Sequence, residues 1–335
     1  MVGEKVLRLE ERLGYTHKGI EKRFEAMSLA QGARLAGRVS GDSTVAYAWA
    51  YAMAVEAIAG VTPPERALLL RALLLERERI ANHLGDLGAL GNDGGLAFGL
   101  AQFLRLKEDL LRLNARLFGH RYLMDSVVPG GVARDLDHAG IAALGEQCDA
   151  LETELKTLRV IYDEHAGLQD RFITCGRLTP EMAARLGVIG LAGRASAQGW
   201  DARVKPGFAP YGELAPRLVT HRNGDVAARV TVRFEEIAES LRLIRAAIER
   251  IAPGAIAAPL AAPAGHSCGI GRVEGWRGEV LIALETSGDS VRRCHPHDPS
   301  WQVWPAIEHA VMGNIVPDFP LINKSFNLSY SGQDL

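Results

Sequence analysis

The sequence predicts an α+β protein that is mainly α-helical, a helical bundle with small β elements packed on it. Long apolar segments with helical spacing fill the first 170 residues, and from about residue 171 short helices alternate with loops. Near the C-terminus, two alternating apolar runs flank the turn sequence SGDS (287–290) and predict a β-hairpin. We expect a single domain, 1–335, with a bundle core in 1–170, an α+β remainder in 171–335 and a C-terminal tail that returns to the core.

The central helix of the bundle is predicted to begin at Thr62-Pro63-Pro64-Glu65. Threonine would cap the helix, proline would take its first position, and glutamate would close a capping box. The segment that follows is apolar over most of its circumference, which is typical of a helix at the centre of a bundle. The Gly-rich stretch GNDGG (91–95) is predicted to end this helix. Further helices are predicted at about 97–119 and 139–170.

The second half of the chain predicts shorter elements. Thr179-Pro180-Glu181 is typical of a capped helix start, and RVTVRF (229–234) has the alternation of a strand, with a helix at about 235–252 after it. An Ala/Pro-rich connector leads to the predicted hairpin, EVLIALET and VRRCH around the SGDS turn. A final helix is predicted to start near Pro305, and an extended tail to fill 320–335.

Composition excludes several classes of protein. The formal net charge is −2 and the charged fraction 23%, so no general basic field favours a nucleic-acid partner. No apolar run reaches the roughly 18 to 20 residues that cross a bilayer, and no signal-peptide apolar region follows the first residues. Four widely spaced cysteines without a C-x-x-C pair favour buried thiols over disulfides: Cys148, Cys175, Cys268 and Cys294. These features are typical of a globular cytosolic protein.

The stretch GRVSGDST (37–44) has two interpretations from local chemistry, a phosphate-binding loop or a plain turn. A phosphate loop needs more glycines and usually a lysine before its helix, so the first interpretation is not favoured. The related SGDS at 287–290 lies between two alternating apolar runs, and it predicts a structural hairpin turn.

Other candidate groups are also ambiguous when each is taken alone. Cys294-His295-Pro296-His297-Asp298 holds metal-binding residue types, but it lacks zinc spacing and alternate strand residues point to opposite faces. Glu76, Arg79 and His83 lie three and four apart on one helical face. His83 is therefore either a satisfied core histidine or a group tuned by its neighbours for a redox or proton site. Asp93, between glycines, is a turn residue or a helix cap.

Six segments taken together resemble one protein family, in the same order along the chain. The family is that of the catalytic large subunit of nickel–iron hydrogenases, in the branch shared with the hydrogenase-like, quinone-pocket subunit of respiratory complex I. Within it, the sequence most resembles the large subunits of membrane-bound, energy-converting hydrogenases of the formate hydrogenlyase type. The segments are LGYTHKGIEK (13–22), ERERIANHLGDLGALGND (76–93), VVPGGVARDL (127–136), LAGRASAQGWDAR (191–203), VEGWRGEV (273–280) and NKSFNLSYSGQDL (323–335).

The resemblance implies that this chain has lost a metal centre. In the hydrogenases of the family, two C-x-x-C pairs hold nickel and iron through soft thiolates. Without gaps, the first pair falls on Ser40 and Ser43 and the second on Ser329 and Gly332. A hydroxyl is a hard, weakly acidic ligand and glycine supplies no ligand atom, so we predict that the chain holds no nickel–iron centre and no metal, and performs no hydrogen chemistry.

The resemblance also implies roles for other residues. His83 matches a histidine beside the terminal iron–sulfur cluster of a neighbouring small subunit, and Arg79 and Arg38 are candidates for the same cofactor-binding surroundings. Asp93 matches an acid that connects the quinone cavity to proton pathways. Glu21 matches the glutamate of an Arg-Gly-x-Glu motif that relays protons.

Four departures from the family pattern bear on this assignment. Lys18 stands where the motif has arginine, which keeps the charge and loses the planar fork. The tyrosine that binds the quinone head group would fall near Gly41 and is absent, and the family's N-terminal β loop with its quinone-facing histidine would lie before Met1. His295 and His297 occupy positions that are basic in the complex I branch, so the local charge becomes titratable.

We therefore expect a subunit of a complex I-like oxidoreductase, peripheral on the cytoplasmic side of the inner membrane and coupled to proton translocation. Its substrate would be a quinone, and its partners a small iron–sulfur subunit, other peripheral-arm subunits and antiporter-like membrane subunits; no cofactor need bind this chain. One alternative is a catalytically silent scaffold that keeps the fold. The other, which the lost thiolates oppose, is an active nickel–iron hydrogenase.

Overall fold

A computed structural model of the chain describes residues 3–261 and 263–335. It confirms the predicted fold class, because helices dominate and the described strands form two small antiparallel sheets. The helices are α1 (Ile20–Phe24), α2 (Leu29–Ala36), α3 (Thr44–Ala59), α4 (Glu65–Asp93), α5 (Ala97–Phe118), α6 (His138–Glu164), α7 (Ala166–Phe172), α8 (Pro180–Leu186), α9 (Gly190–Ala195), α10 (Tyr211–Leu214), α11 (Val226–Arg250), α12 (Ser300–Ala310), α13 (Phe319–Phe326) and α14 (Tyr330–Asp334). In the described part of the chain, no helix is both long enough and apolar enough to span a membrane.

Helix α4 is the central element, as its apolar circumference predicted. Its 29 residues span about 44 Å, and it packs against α5, α11 and α13. The predicted capping box is wrong, because the helix begins at Glu65 and Pro64 is its N-cap residue without a side-chain cap. Two consecutive prolines keep the preceding backbone extended, which excludes Thr62 and Pro63 from the helix.

Helix α3 is buried on nearly all sides between α4 and the larger sheet. Gly269 and Gly271 of the sheet permit this close approach, since a Cβ at either position would overlap the backbone carbonyl of Ala54 or Ala50. At its N-terminus, the Glu78 carboxylate of α4 accepts hydrogen bonds from the backbone amides of Val45 (2.6 Å) and Ala46 (3.2 Å).

The larger sheet contains the predicted hairpin. Strands β3 (His266–Glu274), β4 (Glu279–Ser287) and β5 (Ser290–His297) pair antiparallel in that order, with Gly288 at φ 57° in the turn. The first strand, β3, was not predicted, because the Ala/Pro-rich connector obscured its start. A second sheet pairs β1 (Val127–Val128) with β2 (Gly131–Val132).

Several predicted boundaries differ from the structure. The segment predicted as one helix at 139–170 breaks at His165, whose Nδ1 accepts from the Leu168 amide (3.1 Å) to start α7. The predicted start at Thr179 is confirmed, since its hydroxyl accepts from the Met182 amide.

Three cysteines are buried thiols as predicted, but Cys268 is exposed on the sheet.

The predicted strand RVTVRF is wrong, because these residues lie in the first turns of α11. Asp225 caps this helix by accepting from the Ala228 amide (2.8 Å). Arg229 and Arg233, four residues apart, lie on one helical face, and both are buried with their guanidinium groups bonded inside the protein. The sequence alternation that resembled a strand therefore arises from two internal arginines.

The end of the chain also differs from prediction. The last predicted helix begins at Ser300, and Pro305 lies inside α12 instead of starting it. The predicted extended tail contains α13 and α14, which leaves only a short connection at 327–329. The Lys18 amide donates to the carbonyl of Leu335 (2.8 Å), so the end of the chain lies against its beginning.

Candidate functional site

The structure brings Ser40 and Ser329 into direct contact, although 289 positions separate them. Their hydroxyl oxygens are 2.8 Å apart. Ser40 lies in the loop between α2 and α3, and Ser329 is the N-cap residue of α14, where its oxygen accepts from the Gly332 amide (2.9 Å). The two segments that the resemblance matched to metal-binding pairs therefore meet in space. We call Ser40, Ser43, Ser329 and Gly332 the vacated ligand positions.

Asp42 is the centre of a polar network between these positions. Its Oδ1 accepts from the hydroxyls of Ser40 (2.9 Å) and Ser43 (3.3 Å), and Arg277 forms a two-pronged ion pair with the same carboxylate. Partial burial raises the pKa of Asp42, but the charge and hydrogen bonds of Arg277 outweigh burial and hold that pKa at about 2. The guanidinium of Arg277 lies over the Trp276 ring at 4.0 Å, which fixes its orientation.

The fourth vacated position is filled by a carboxylate. A Cβ atom at Gly332 would overlap the side chain of Asp298. The Asp298 Oδ2 accepts from the Tyr47 hydroxyl (2.5 Å), and Oδ1 accepts from the Ser300 amide (2.8 Å), so this carboxylate is held from both sides. Burial and the nearby Asp298 charge raise the pKa of Tyr47 well above its ordinary value, so the phenol stays protonated.

These residues do not fit a nickel–iron centre. Three of the four positions carry hydroxyls and the fourth supplies no ligand atom, while a guanidinium cation and two carboxylates occupy the space around them. Among residues 3–261 and 263–335, no three side chains of histidine, cysteine, aspartate or glutamate are grouped to hold a metal ion. The Cys294–Asp298 motif is no exception, since the side chains of His295 and Asp298 bond to separate partners.

Glu21 lies in a second polar cluster, with the histidines of β5. Its Oε1 is 2.5 Å from His295 Nδ1, and the Trp301 ring packs edge-on against His295 and His297 with centroid distances of 5.5 and 4.8 Å. The Trp301 indole donates to the carbonyl of Gly332 (3.1 Å), which connects this cluster to the vacated positions. Lys18, in the same motif as Glu21, reaches the carbonyl of Val39 beside Ser40 (3.5 Å).

His83 and Arg79 belong to an ionic network inside the protein. His83 Nε2 is 3.0 Å from Glu236 Oε2 of α11, and Arg79 donates to the same oxygen (2.6 Å) and to the carbonyl of Gly275 (2.6 Å). Arg194 of α9 donates to the other Glu236 oxygen (2.7 Å). All four side chains are buried. Burial lowers the pKa of His83 despite its bond to Glu236, so the imidazole is neutral at neutral pH.

The third member of the polar stripe, Glu76, extends this network. Its carboxylate accepts from Arg203 (3.0 and 3.1 Å), Tyr211 (2.6 Å) and Ser240 (2.5 Å). The polar residues on α4 are thus bonded to side chains from three other segments of the chain. Because their charges are paired inside the protein, a polar face is tolerated at the centre of an apolar bundle.

Two sequence-predicted residues lie apart from these clusters. Asp93 is exposed at the last position of α4, ten residues beyond His83 and so about 15 Å along the helix. Arg38 is paired at the surface with both oxygens of Asp125 (2.8 Å each). The structure does not bring either residue into contact with His83 or Glu21.

One cavity with a mostly apolar lining does not touch the vacated positions. It measures about 610 Å³ and lies between α2, the end of α3, the β1–β2 hairpin and the Ala/Pro connector, with Arg34 and Asp125 among its lining residues. A narrower cleft, of about 20 Å³, reaches Gly41 and Asp42, which lie between Ser40 and Ser43 in the sequence. It is lined by Gly41, Asp42, Glu78, Asn82 and Lys107, among others.

Sequence reasoning missed the residues that rebuild the site. Asp42 lies between Ser40 and Ser43, and Arg277 lies in VEGWRGEV, one of the segments that carry the family resemblance. The positions of both residues in the sequence could therefore have indicated a role in the site. Asp298 was named only as part of the Cys294–Asp298 motif, and Tyr47 and Glu236 had no specific signal, since each of the three needs a partner from a distant part of the chain to acquire a role.

Comparisons with known proteins support the resemblance. Residues 93–266 match the protein family described as "Respiratory-chain NADH dehydrogenase, 49 Kd subunit". The chain is 32% identical over 332 residues to a subunit of the NADH-quinone oxidoreductase of Dehalococcoides mccartyi, covering 97% of this chain and 90% of that protein. It is 30% identical over 337 residues to formate hydrogenlyase subunit 5 of Escherichia coli, of whose length it spans 59%.

The fold is shared with a solved structure, that of "the membrane-bound sulfane sulfur reductase (MBS), an archaeal respiratory membrane complex". A chain of that complex superimposes with a TM-score of 0.93, covering 99% of this chain and 92% of the other, at 24% sequence identity.

Proposed function

The chain belongs to the family of the 49 kDa subunit of the respiratory-chain NADH dehydrogenase, and from this membership we propose a role in a membrane-associated oxidoreductase complex. In that complex it forms one wall of the site where electrons reach a quinone-type acceptor, next to an iron–sulfur cluster held by a partner subunit. The chain itself holds no nickel–iron centre.

One observation carries this proposal. The chain lacks all four thiolates of the metal centre, yet it matches a relative named as part of an NADH-quinone oxidoreductase over 90% of that relative's length. Loss of the metal with retention of the whole fold favours transfer of electrons to an organic acceptor over hydrogen chemistry. Ser40, Ser43, Ser329 and Gly332 are joined into a bonded polar network, which supports the same conclusion.

The finer features of the proposal follow the family. We place the chain as one domain, peripheral on the cytoplasmic side of the inner membrane, in contact with a small iron–sulfur subunit and connected through further subunits to antiporter-like membrane proteins. Glu21 and Asp93 are proposed as proton-relay groups, and His83, with Arg79, as the group beside the cluster. Arg38, whose ion pair with Asp125 lies at the rim of the 610 Å³ cavity, is proposed as part of the same cofactor surroundings.

Metal analysis of the complex purified with this subunit tests the central claim. We expect iron and sulfide from the partner's clusters and nickel far below one atom per chain, because the residues at the vacated positions supply no thiolate. The matched control is a nickel–iron hydrogenase purified by the same procedure. Stoichiometric nickel with hydrogen-dependent activity would contradict the proposal.

A scaffold without electron-transfer chemistry is the second candidate. The observation in its favour is that Asp298, Asp42 and Arg277 fill the space around the vacated positions, and that these positions do not line the 610 Å³ cavity. Quinone reduction by the assembled complex separates the candidates, with the variant Asp93→Asn and the control Asp109→Asn, an acid on α5. Acceptor chemistry predicts a rate loss in the first variant only, whereas a scaffold predicts no effect of either.

A further inference from the structure

The two ring nitrogens of His83 have different surroundings. Nε2 is 3.0 Å from Glu236 Oε2, while Nδ1 has no hydrogen-bond partner, and the whole side chain is buried. The ring packs edge-on against Trp276, with 6.1 Å between centroids. A buried nitrogen without a partner is uncommon, and its protonation state determines what the residue can do.

The protonation state follows from the partner of Nε2. Glu236 accepts from Arg79 on Oε2 (2.6 Å) and from Arg194 on Oε1 (2.7 Å), and both arginines are buried. Burial opposes the ionised form of Glu236, but the two arginine charges outweigh burial and hold its pKa well below the ordinary range. An ionised carboxylate accepts hydrogen bonds only, so Nε2 of His83 must carry the hydrogen.

We propose that Glu236 is a positioning residue that fixes His83 as the Nε2–H tautomer, so that Nδ1 is the buried atom at which His83 takes up a proton. The use of that proton beside a reduced iron–sulfur cluster rests on the proposed function, whereas the tautomer itself does not.

The charges around His83 explain why Nδ1 is normally unprotonated. Glu236 on α11 favours the imidazolium, while burial, Arg79 on the helix of His83 itself and Arg233 on α11 oppose it. The neighbour on the β3–β4 turn, Trp276, adds no charge. Because these effects oppose each other, an additional negative charge close to the ring would favour protonation at Nδ1.

Nuclear magnetic resonance on the full-length chain labelled with ¹⁵N-histidine tests the proposal directly. Two-bond proton–nitrogen correlations are expected to give His83 a protonated Nε2 and an unprotonated Nδ1 without a hydrogen bond. Assignment uses the ring's through-space contacts with Trp276, so it does not depend on a variant that fails to fold. A protonated Nδ1 in the wild-type chain would overturn the proposal.

The positioning role is tested by Glu236→Gln, with Glu239→Gln as the matched control on the same helix. Glu239 is also buried, but it accepts from the Arg217 amide and Arg242 and does not contact His83. A glutamine at 236 has one acceptor oxygen for three donors, so we expect a mixture of His83 tautomers, and a titration midpoint lowered by about 1 to 3 pH units. Glu236→Asp, which keeps the charge, should retain the Nε2–H form.

Failure of the positioning role and failure of the proposed function have different signatures. If Glu236→Gln leaves both the tautomer and the titration of His83 as in the control, the positioning role is wrong. If the wild-type tautomer is as expected but His83→Gln leaves the potential of the neighbouring cluster and its pH dependence unchanged in the complex, only the placement of His83 beside the cluster is wrong.

Discussion

Gly332 and Asp298 are the clearest case in which one residue excludes a side chain, and with it a thiolate ligand, at another position. The Asp298 carboxylate occupies the volume that any side chain at 332 would need, and it is held there by Tyr47 and the Ser300 amide. The packing of Asp298 therefore requires that residue 332 has no side chain, and so no ligand atom. The family pattern predicts that a ligand is missing at this position. The steric reason for a glycine cannot be predicted from the sequence, because it depends on where Asp298, 34 places earlier in the chain, lies in the structure.

The steric role of Asp298 predicts opposite effects for two identical substitutions. Gly332→Ala is expected to lower the free energy of unfolding by about 1 to 3 kcal/mol, since the added methyl group displaces a bonded carboxylate. Gly145→Ala, in the middle of α6 with open space around the added Cβ, should instead raise it by about 0.5 to 1 kcal/mol. Urea unfolding measures both values, and a neutral or stabilising Gly332→Ala would exclude the steric role of Asp298.

At the scale of the element, local sequence signals predicted the secondary structure correctly where the residues of one segment determine its structure. The hairpin turn, the Thr179 cap and the apolar α4 were predicted because their signals lie within a few residues of each other. Prediction failed for RVTVRF, where two arginines that bond inside the protein imitated a strand pattern, and for the tail, whose helices α13 and α14 are short. Buried charges are satisfied by distant partners, so no local pattern reveals them.

Helix α3 provides a prediction at this scale, because its N-terminus is capped by a residue of another helix. Glu78→Ala is expected to lower the free energy of unfolding by about 1 to 3 kcal/mol, since it leaves the buried amides of Val45 and Ala46 without an acceptor. The control is Glu146→Ala on the exposed face of α6. Equal stabilities of the two variants in urea unfolding would show that Glu78 does not hold α3.

On the scale of the whole molecule, the two ends of the chain form one structural unit with the vacated positions. Asp334 accepts from the amides of Gly14 and Thr16 (2.8 Å each), and Leu335 accepts from that of Lys18 (2.8 Å). Further along the same segment, Ser329 meets Ser40 and the carbonyl of Asn327 accepts from Arg277 (2.6 Å). The family resemblance predicted which segments matter here, whereas the bonds that join them followed only from the structure.

Removal of residues 330–335 should therefore loosen the beginning of the chain. With three hydrogen bonds to backbone amides lost, we expect trypsin to cleave after Lys18 on the order of tenfold faster than in the full-length protein. Cleavage after Lys156, on the distant helix α6, serves as the internal control in the same digest. Equal rates after Lys18 in both proteins would mean that the tail does not order the N-terminal segment.

The network around Asp42 also has a consequence for redesign, because it opposes the conversion of the four vacated ligand positions into thiolate ligands one substitution at a time. A cysteine at 332 would collide with Asp298, and a cysteine at 40 would replace the hydroxyl that bonds to both Ser329 and Asp42. Each single substitution toward a four-thiolate site would thus be penalised before any metal could bind, so a designed metal site would require Asp298 and its neighbours to change together with the four positions.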